Sequence, residues 1–320
     1  MLSDIRSTME FQNRSTKMPI PVPEDSDLDL IQVAGIGNAE LLRVLIQAKV
    51  SFGECDDHVS LALIAACSEG HSSCAQMLLD AKARIDATND DGNTAVILAA
   101  IEGHAACLQL LVDAKADITA KTKDDNTALM LAAADGHIAC LRALLDAKAH
   151  VNTVNKHGYT AAVLAAGKGH AVCLQLLCDA NADINDRNAH SNPALTVACG
   201  EGHPSCTQIL LDAKARIETG DEYGHTALMV AAMRGHSACL QLLLDAKADI
   251  NATGVHGHTP LIMAVDGEHT ECVQLLVDAK ANINQKKNDG QTALMIARKE
   301  RLSDIVNILL KAKADKLPTS

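Results

Sequence analysis

Apolar residues recur along this chain at helical spacing, and the same pattern returns every 33 residues. In its clearest copy, the run from Cys239 to Leu244 places four apolar side chains on one face of a helix and leaves Gln241 on the other. A Gly-His pair precedes the run in six repeats, Glu268-His269 is a variant, and Ala-Lys-Ala or Ala-Asn-Ala follows the run. The pattern predicts one amphipathic helix in every repeat.

A second, shorter helix is predicted in front of each Gly-His pair. It carries paired alanines, such as Ala231-Ala232, whose small side chains allow close packing. Threonine stands before it in most repeats, and a Thr hydroxyl can accept a hydrogen bond from an unpaired amide of the first helical turn. We therefore expect these helices to start at Thr94, Thr127, Thr160, Thr226, Thr259 and Thr292.

The residue that ends the longer helix is unusual. A helix commonly ends in a left-handed residue, and Gly or Asn fits there better than Lys. The sequence predicts this modestly strained conformation at Lys82, Lys115, Lys148, Asn181, Lys214, Lys247, Lys280 and Lys313.

The fixed period decides the fold class. One repeat of this size cannot bury its apolar face alone and has to stack on its neighbours. We predict an all-α solenoid over residues 25–318, with about nine helix–turn–helix repeats stacked into a curved, elongated array and polar first and last repeats as caps. Residues 1–24 are polar, contain three prolines and lack a helical period, so they are predicted to be a flexible tail.

Composition narrows the range of partners. The chain of 320 residues has a formal net charge of -12, which repels nucleic acid and anionic membrane surfaces. With two Tyr, two Phe and no Trp, it offers no aromatic platform for stacked bases. No apolar run long enough to span a membrane and no secretory signal is present, so a cytoplasmic location is predicted, with the nucleus as an alternative.

Cysteine is abundant, with 11 residues, and seven of them share one position in the longer helices. Equivalent positions of stacked helices are about 8–10 Å apart, whereas a disulfide needs Cα atoms within about 7 Å. We therefore predict reduced, buried thiols. These seven cysteines, called the cysteine ladder below, are Cys74, Cys107, Cys140, Cys173, Cys206, Cys239 and Cys272.

The repeated His-x-x-Cys pairs suggest a zinc site, because His and Cys three residues apart on a helix could share a metal. Each Cys, however, belongs to the apolar face, and no compact four-ligand cluster is present. Neither a phosphate-binding Gly-rich loop nor a nucleophile motif interrupts the repeats. We predict no metal, no cofactor and no enzymatic activity.

Taken together, Gly-x-Thr-Ala/Pro-Leu, Ala-Ala, Gly-His, Leu-Leu and Ala-Asp-Ile-Asn resemble the ankyrin repeat. The resemblance implies two antiparallel helices and a projecting β-hairpin per repeat. Thr-Ala-Leu-Met replaces the family's Thr-Pro-Leu-His, and Lys replaces its Gly near the end of the longer helix. Pro193 and Pro204 put the regularity of one repeat in doubt.

The resemblance raises one modification. Asn152, Asn185, Asn251 and Asn284 resemble the family's asparagine that an asparaginyl hydroxylase modifies. The alternative is that each Asn stabilises a turn through its side chain. The sequence favours the structural role.

The resemblance also implies a function, the binding of a partner protein by a concave face and the hairpin tips. We predict a monomeric, non-enzymatic scaffold or adaptor; a structural or self-associating solenoid and a metal-binding His/Cys-rich protein are the alternatives. Tip histidines could make binding depend on pH near neutrality. The predicted contact residues are Lys123, Lys156, His157, Tyr159, His190, Glu222, Tyr223, His225, Met233, Arg234, His256 and His258.

Overall fold

A computed structural model describes residues 30–48, 57–185 and 193–314. These residues form 18 helices in nine consecutive pairs. The chain divides into two compact parts, one ending at Thr122 and one beginning at Lys123. The N-terminal part contains the pairs α1 (Leu30–Gly35) and α2 (Ala39–Ala48), α3 (Asp57–Ser68) and α4 (Ser72–Asp80), and α5 (Ala95–Ile101) and α6 (Ala105–Asp113).

The C-terminal part contains six pairs. Its first helices are α7 (Ala128–Ala134), α9 (Ala161–Lys168), α11 (Ala194–Glu201), α13 (Ala227–Arg234), α15 (Pro260–Asp266) and α17 (Ala293–Lys299). Its second helices are α8 (Ile138–Asp146), α10 (Ala171–Asp179), α12 (Pro204–Asp212), α14 (Ser237–Asp245), α16 (Thr270–Asp278) and α18 (Ser303–Ala314).

Within each part, every first helix packs on the first helix of the next repeat, and every second helix packs on the next second helix. Small alanines such as Ala231 and Ala232 are fully buried between them. The prediction of an all-α solenoid is confirmed. The predicted tail, residues 1–24, lies outside the described residues. In the described ranges, no helix combines the length and the apolar character needed to cross a membrane.

The helix starts follow the threonines. In all six expected cases the Thr side chain accepts a hydrogen bond from the amide three residues later, as Thr226 does from Met229. Pro193 stands before α11 without a side-chain cap, as its chemistry requires. Pro204 is the first residue of α12, a position that needs no N–H donor, so the helix forms regularly there.

The predicted left-handed residues are confirmed at Lys82, Lys115, Lys148, Asn181, Lys214, Lys247 and Lys280. Lys247, for example, has φ 68°, and its N–H donates to the carbonyl of Leu244. Lys313 differs, because α18 continues through it to Ala314. At this position α18 therefore stays helical, where α4, α6, α8, α10, α12, α14 and α16 are followed by a left-handed residue.

The Gly-His pairs connect successive repeats. The ring nitrogen Nε2 of His236 lies 3.1 Å from the carbonyl of Gly200 in the preceding repeat. Equivalent contacts join His71 to Gly35, His203 to Gly167 and His269 to Met233. The histidine ring also fills the space beside the Gly of the Gly-His pair in the preceding repeat. A Cβ on Gly202, for example, would lie 2.5 Å from His236 Nδ1. The histidines are therefore structural.

The cysteines are free throughout the described ranges, and all except Cys178 are buried there. Burial raises the pKa of the Cys206 thiol to about 11. This agrees with the prediction of reduced, structural thiols in the ladder.

Candidate interaction surface

The loops that begin at Asn89, Asn155 and Asp221 are each organised by the side chain of that residue. In the loop of residues 155–160, Asn155 Oδ1 accepts hydrogen bonds from the amides of His157 and Tyr159, at 3.0 and 2.9 Å. Between them, Gly158 has φ 71°, a left-handed conformation that suits glycine. We call residue 155 and its counterparts the anchor, the residue two later the outer position, and the residue four later the inner position.

Neighbouring loops are joined through their backbones. The amide of Lys156 donates to the carbonyl of Asp124 at 3.1 Å, and that of Val255 donates to Tyr223 at 3.0 Å. The amide of Asn288 donates to His256 at 3.2 Å. In the described part of the chain, the β-hairpins implied by the resemblance are represented by isolated bridges such as Thr88 with Thr94 and Lys286 with Thr292. These backbone links join the loop of Asp124 to that of Lys156, and the loop of Tyr223 to those of Val255 and Asn288. The described loops of the C-terminal part are called the loop row below.

Tyr159 occupies an inner position and is only 4% exposed. Its ring centroid lies 6.1 Å from that of His157, which is half-buried at the outer position. Tyr159 is predicted from the sequence to be a contact residue, but its side chain is buried. It is therefore not part of the proposed surface.

Tyr223 and His225 take the same two positions in the opposite order. Asp221 anchors this loop, accepting at Oδ1 from the amides of Tyr223 and His225, both at 2.8 Å. Asp221 Oδ2 lies 3.2 Å from His225 Nδ1. The rings of Tyr223 and His225 stack with centroids 5.7 Å apart. Tyr223 thus occupies the outer position, and its ring stacks on a histidine that contacts Asp221.

His256 and His258 follow in the next loop, with ring centroids 6.2 Å apart and an edge-to-face arrangement. His256 is exposed, whereas His258 is half-buried and lies 3.7 Å from Asp266 Oδ2. Burial lowers the pKa of His258, Lys287 lowers it further, and Asp266 raises it. The pKa of the inner histidine, His258, is therefore below its ordinary value.

The other predicted contact residues are distributed over both helices and loops. Arg234 is exposed at the end of α13, and Met233 beside it is half-buried. Glu222, Lys123 and Lys156 are exposed, and the Lys156 ammonium contacts the carbonyl of Lys123. His190 lies outside the described residues.

The asparagines considered for modification join successive repeats. Asn152 Oδ1 accepts from the amide of Asp183 at 2.8 Å, and Asn251 Oδ1 accepts from the amide of Asn282 at 2.8 Å. Asn185 binds the amide of Arg216 in the same way. Sequence reasoning expected a bond within the turn and missed this link between repeats. The bond joins an Oδ1 acceptor to a backbone amide 31 residues later, and a backbone donor has no signature of its own in the sequence.

The described residues contain no group of three or more His, Cys, Asp or Glu placed to hold a metal ion. The histidines of the loops instead pair with a tyrosine, a carboxylate or another histidine. Chemically, the row offers aromatic faces and charges of both signs on a fixed backbone.

Comparison with known proteins agrees with this architecture. The family model for ankyrin repeats (three copies) matches residues 30–122, 120–188, 185–254 and 253–319. The crystal structure of the human ASB11 ankyrin repeat domain is similar, with a TM-score of 0.64 and 28% sequence identity. The likeness covers 71% of this chain and 100% of that one. The comparison with curated proteins gives no match.

Proposed function

This chain belongs to the ankyrin repeat family, and we propose that it is a non-enzymatic scaffold or adaptor that binds a partner protein. Ankyrin repeats are generally protein–protein interaction modules. The proposed surface consists of the loop row and the exposed ends of first helices in the C-terminal part. Its residues are Lys123, Lys156, His157, Glu222, Tyr223, His225, Met233, Arg234, His256 and His258.

The observation that carries the proposal is the fixed presentation of Tyr223. The Tyr223 ring stacks on His225, whose imidazole contacts Asp221. The backbone carbonyl of Tyr223 accepts a hydrogen bond from the amide of Val255 in the next loop. A side chain that is ordered before binding loses little conformational entropy when a partner arrives. Tyr and Arg are also the residue types that most often dominate binding energy.

The variation of the outer positions supports the same surface. Among the described loops, these positions hold Asp91, Asp124, His157, Tyr223, His256 and Asp289. The residues beneath them, by contrast, repeat the same caps and helix contacts. Varied side chains on an invariant support suit selective recognition. A monomer of the cytoplasm or nucleus, binding neither nucleic acid nor membrane, fits the net charge of -12.

The test is affinity capture from cell lysate with quantitative mass spectrometry. The intact chain is compared with the variant Tyr223→Ala/Arg234→Ala. The matched control is Gln241→Ala/Asp245→Ala on α14, where both side chains are exposed and hydrogen-bonded to each other at 2.8 Å. All three proteins must first show the same thermal unfolding.

We expect at least one protein to be retained by the intact chain and the control and lost from the Tyr223→Ala/Arg234→Ala variant. Crosslinks from that protein to residues 222–234 would then locate the contact. Equal capture by all three chains would reject this surface. Capture lost only from the α14 control would assign binding to the second helices instead.

A further inference from the structure

Two cysteines outside the ladder stand where most other repeats have alanine. Cys67 lies in α3 and Cys199 in α11, at the second position of the paired alanines. The equivalent residues of other repeats are Ala100, Ala133, Ala166 and Ala232. These two departures from the repeat place an extra thiol in each part of the chain.

Each extra thiol lies near a ladder thiol of the next repeat. The sulfurs of Cys199 and Cys239 both lie 3.5 Å from the hydroxyl oxygen of Thr207, and both residues are 0% exposed. In the N-terminal part, Cys67 and Cys107 are the corresponding residues, and both are buried. This geometry differs from that of two ladder cysteines, which occupy equivalent positions on stacked second helices. Here a first helix meets the second helix of the following repeat.

The residue eight positions after each extra cysteine is smaller than the leucine of neighbouring repeats. Eight residues after Cys199, Thr207 takes the place that Leu174 and Leu240 fill in neighbouring repeats. Its hydroxyl lies 3.5 Å from the sulfur of Cys199 and 3.5 Å from that of Cys239, and it donates to the carbonyl of His203 at 3.0 Å. In the N-terminal pair, Ala75 replaces the leucine. Both sites therefore have room for the added sulfur.

The surroundings of Cys239 favour a thiolate. The neighbouring Cys199 thiol lowers the pKa of Cys239 to about 7, against the opposing effect of burial. At the same ladder position one repeat later, burial raises the pKa of Cys272 to about 11. Since the thiolate is the nucleophilic form of cysteine, Cys239 is the more reactive of these two ladder residues.

We propose that Cys199 and Cys239 form an oxidisable dithiol, which a peroxide converts into a disulfide between consecutive repeats. The Cys239 thiolate attacks one oxygen of hydrogen peroxide, the O–O bond breaks, and hydroxide leaves as Cys239 becomes a sulfenic acid. The sulfur of Cys199 then displaces hydroxide from that sulfenic acid and forms the S–S bond. The two thiol protons convert both hydroxides to water, so two thiols and one peroxide give one disulfide and two waters.

The reaction requires a local opening of the repeat, because neither sulfur is accessible in the closed fold. The opening is limited to the packing of α11, α12 and α14, which carry the two cysteines and Thr207. The bond formed would fix α11 to α14 across the repeat that presents Tyr223. This inference does not depend on partner binding.

The test treats the full-length chain with hydrogen peroxide, blocks the remaining thiols and analyses a non-reduced tryptic digest by mass spectrometry. Trypsin gives one peptide, residues 188–214, with Cys199 and Cys206, and another, residues 235–247, with Cys239. The variant Cys199→Ala has the residue of sibling repeats and should fold normally. The matched control is Cys206→Ala, which removes the other cysteine of the same peptide.

We expect the two peptides to be linked, with the loss of two hydrogen atoms, in the intact chain and in Cys206→Ala, and to be unlinked in Cys199→Ala. The link should form faster in low urea that opens the repeat without unfolding the chain. Oxidation of the half-exposed Cys178 confirms that the oxidant has acted. Cys178 oxidised without the link, a link that survives in Cys199→Ala, or Cys239 oxidised alone to sulfinic acid would each overturn the proposal.

Discussion

Two loops of the C-terminal part share the same backbone pattern and carry their histidine and tyrosine in opposite order. Residues 155–160 place His157 outside and Tyr159 inside, where the Tyr is 4% exposed. In residues 221–226, Tyr223 holds the outer position and His225 the inner position, and both side chains are half-buried. Both loops use one anchor oxygen to bind the same two amides. The backbone is therefore the same, and the order of the two aromatic residues decides which one is available to a partner.

The anchors match this difference. Asn155 donates from Nδ2 to Asn126 Oδ1 at 2.8 Å in a buried contact, so it links the loop to its neighbour and leaves the inner position to an apolar ring. Asp221 directs its second oxygen at His225, whose side chain is 17% exposed. An inner histidine thus needs a carboxylate partner, whereas an inner tyrosine is stabilised by packing.

The largest difference in stability between the two loops should appear when the tyrosine ring is removed from each. Tyr159→Ala deletes a buried ring and should lower the free energy of unfolding by about 3 kcal/mol or more. Tyr223→Ala deletes an outer ring and should change it by less than about 1 kcal/mol. Urea denaturation followed by circular dichroism measures both. Similar losses for the two variants would contradict the assignment of inner and outer positions.

The next effect comes from reversing the order within each loop. His157→Tyr with Tyr159→His places an imidazole in a buried position whose anchor is Asn155, and an unpaired buried polar group costs about 1–3 kcal/mol. Tyr223→His with His225→Tyr should cost less, since the inner position of that loop is less buried. Thermal and urea unfolding of the two double variants give the comparison. Equal costs would mean that the anchors do not distinguish the loops.

Much of the fold could be predicted because the same sequence pattern recurs every 33 residues. The threonine caps and the left-handed lysines at the helix ends follow from single residues in fixed positions, and both are found. The exception at Lys313 arises because α18 continues through it to Ala314. The histidine of each Gly-His pair could be recognised as structural, but its contact with the preceding repeat could not, since the partner is a backbone carbonyl.

The surface was harder to predict than the fold. Residue type suggests that Tyr159 and Tyr223 are equivalent, and only the position relative to the anchor separates them. That position depends on a loop conformation set by a side-chain oxygen and a left-handed glycine. Counting from Asn155 and Asp221 would have found it, because each anchor is followed by an outer and then an inner residue.

A smaller effect tests the anchors themselves. Asn126→Ala removes the acceptor of the buried Asn155 amide and should cost about 1–2 kcal/mol, the penalty of an unsatisfied buried donor. Asp221→Asn keeps an oxygen for the two loop amides and changes only the contact with His225, so it should cost less than about 1 kcal/mol. Chemical denaturation of both variants measures the difference. A double-mutant cycle of Asn126 and Asn155 should show coupling, and additive losses would rule out the link.

The smallest effect concerns a third loop, in which the anchor is Gly254 and the inner residue is His258. Burial is the main cause that lowers the pKa of His258, and Lys287, His225 and His256 act in the same direction against Asp266. The folded chain therefore resists protonation that the unfolded chain accepts near pH 6.5. Stability contributed by neutral His258 is complete above that pH and is lost as the pH falls toward the lower, folded-state pKa.

His258→Gln should consequently reduce the loss of stability between pH 7.5 and 5.5, by less than about 1.4 kcal/mol, the equivalent of one pKa unit. His170 and His236 also have pKa values lowered mainly by burial, so the intact chain will lose stability from several sites. The informative quantity is the difference between variant and intact chain in urea denaturation at the two pH values. If that difference is zero, burial of an inner histidine without an Asn or Asp anchor has no measurable cost, and the anchors matter only for loop conformation.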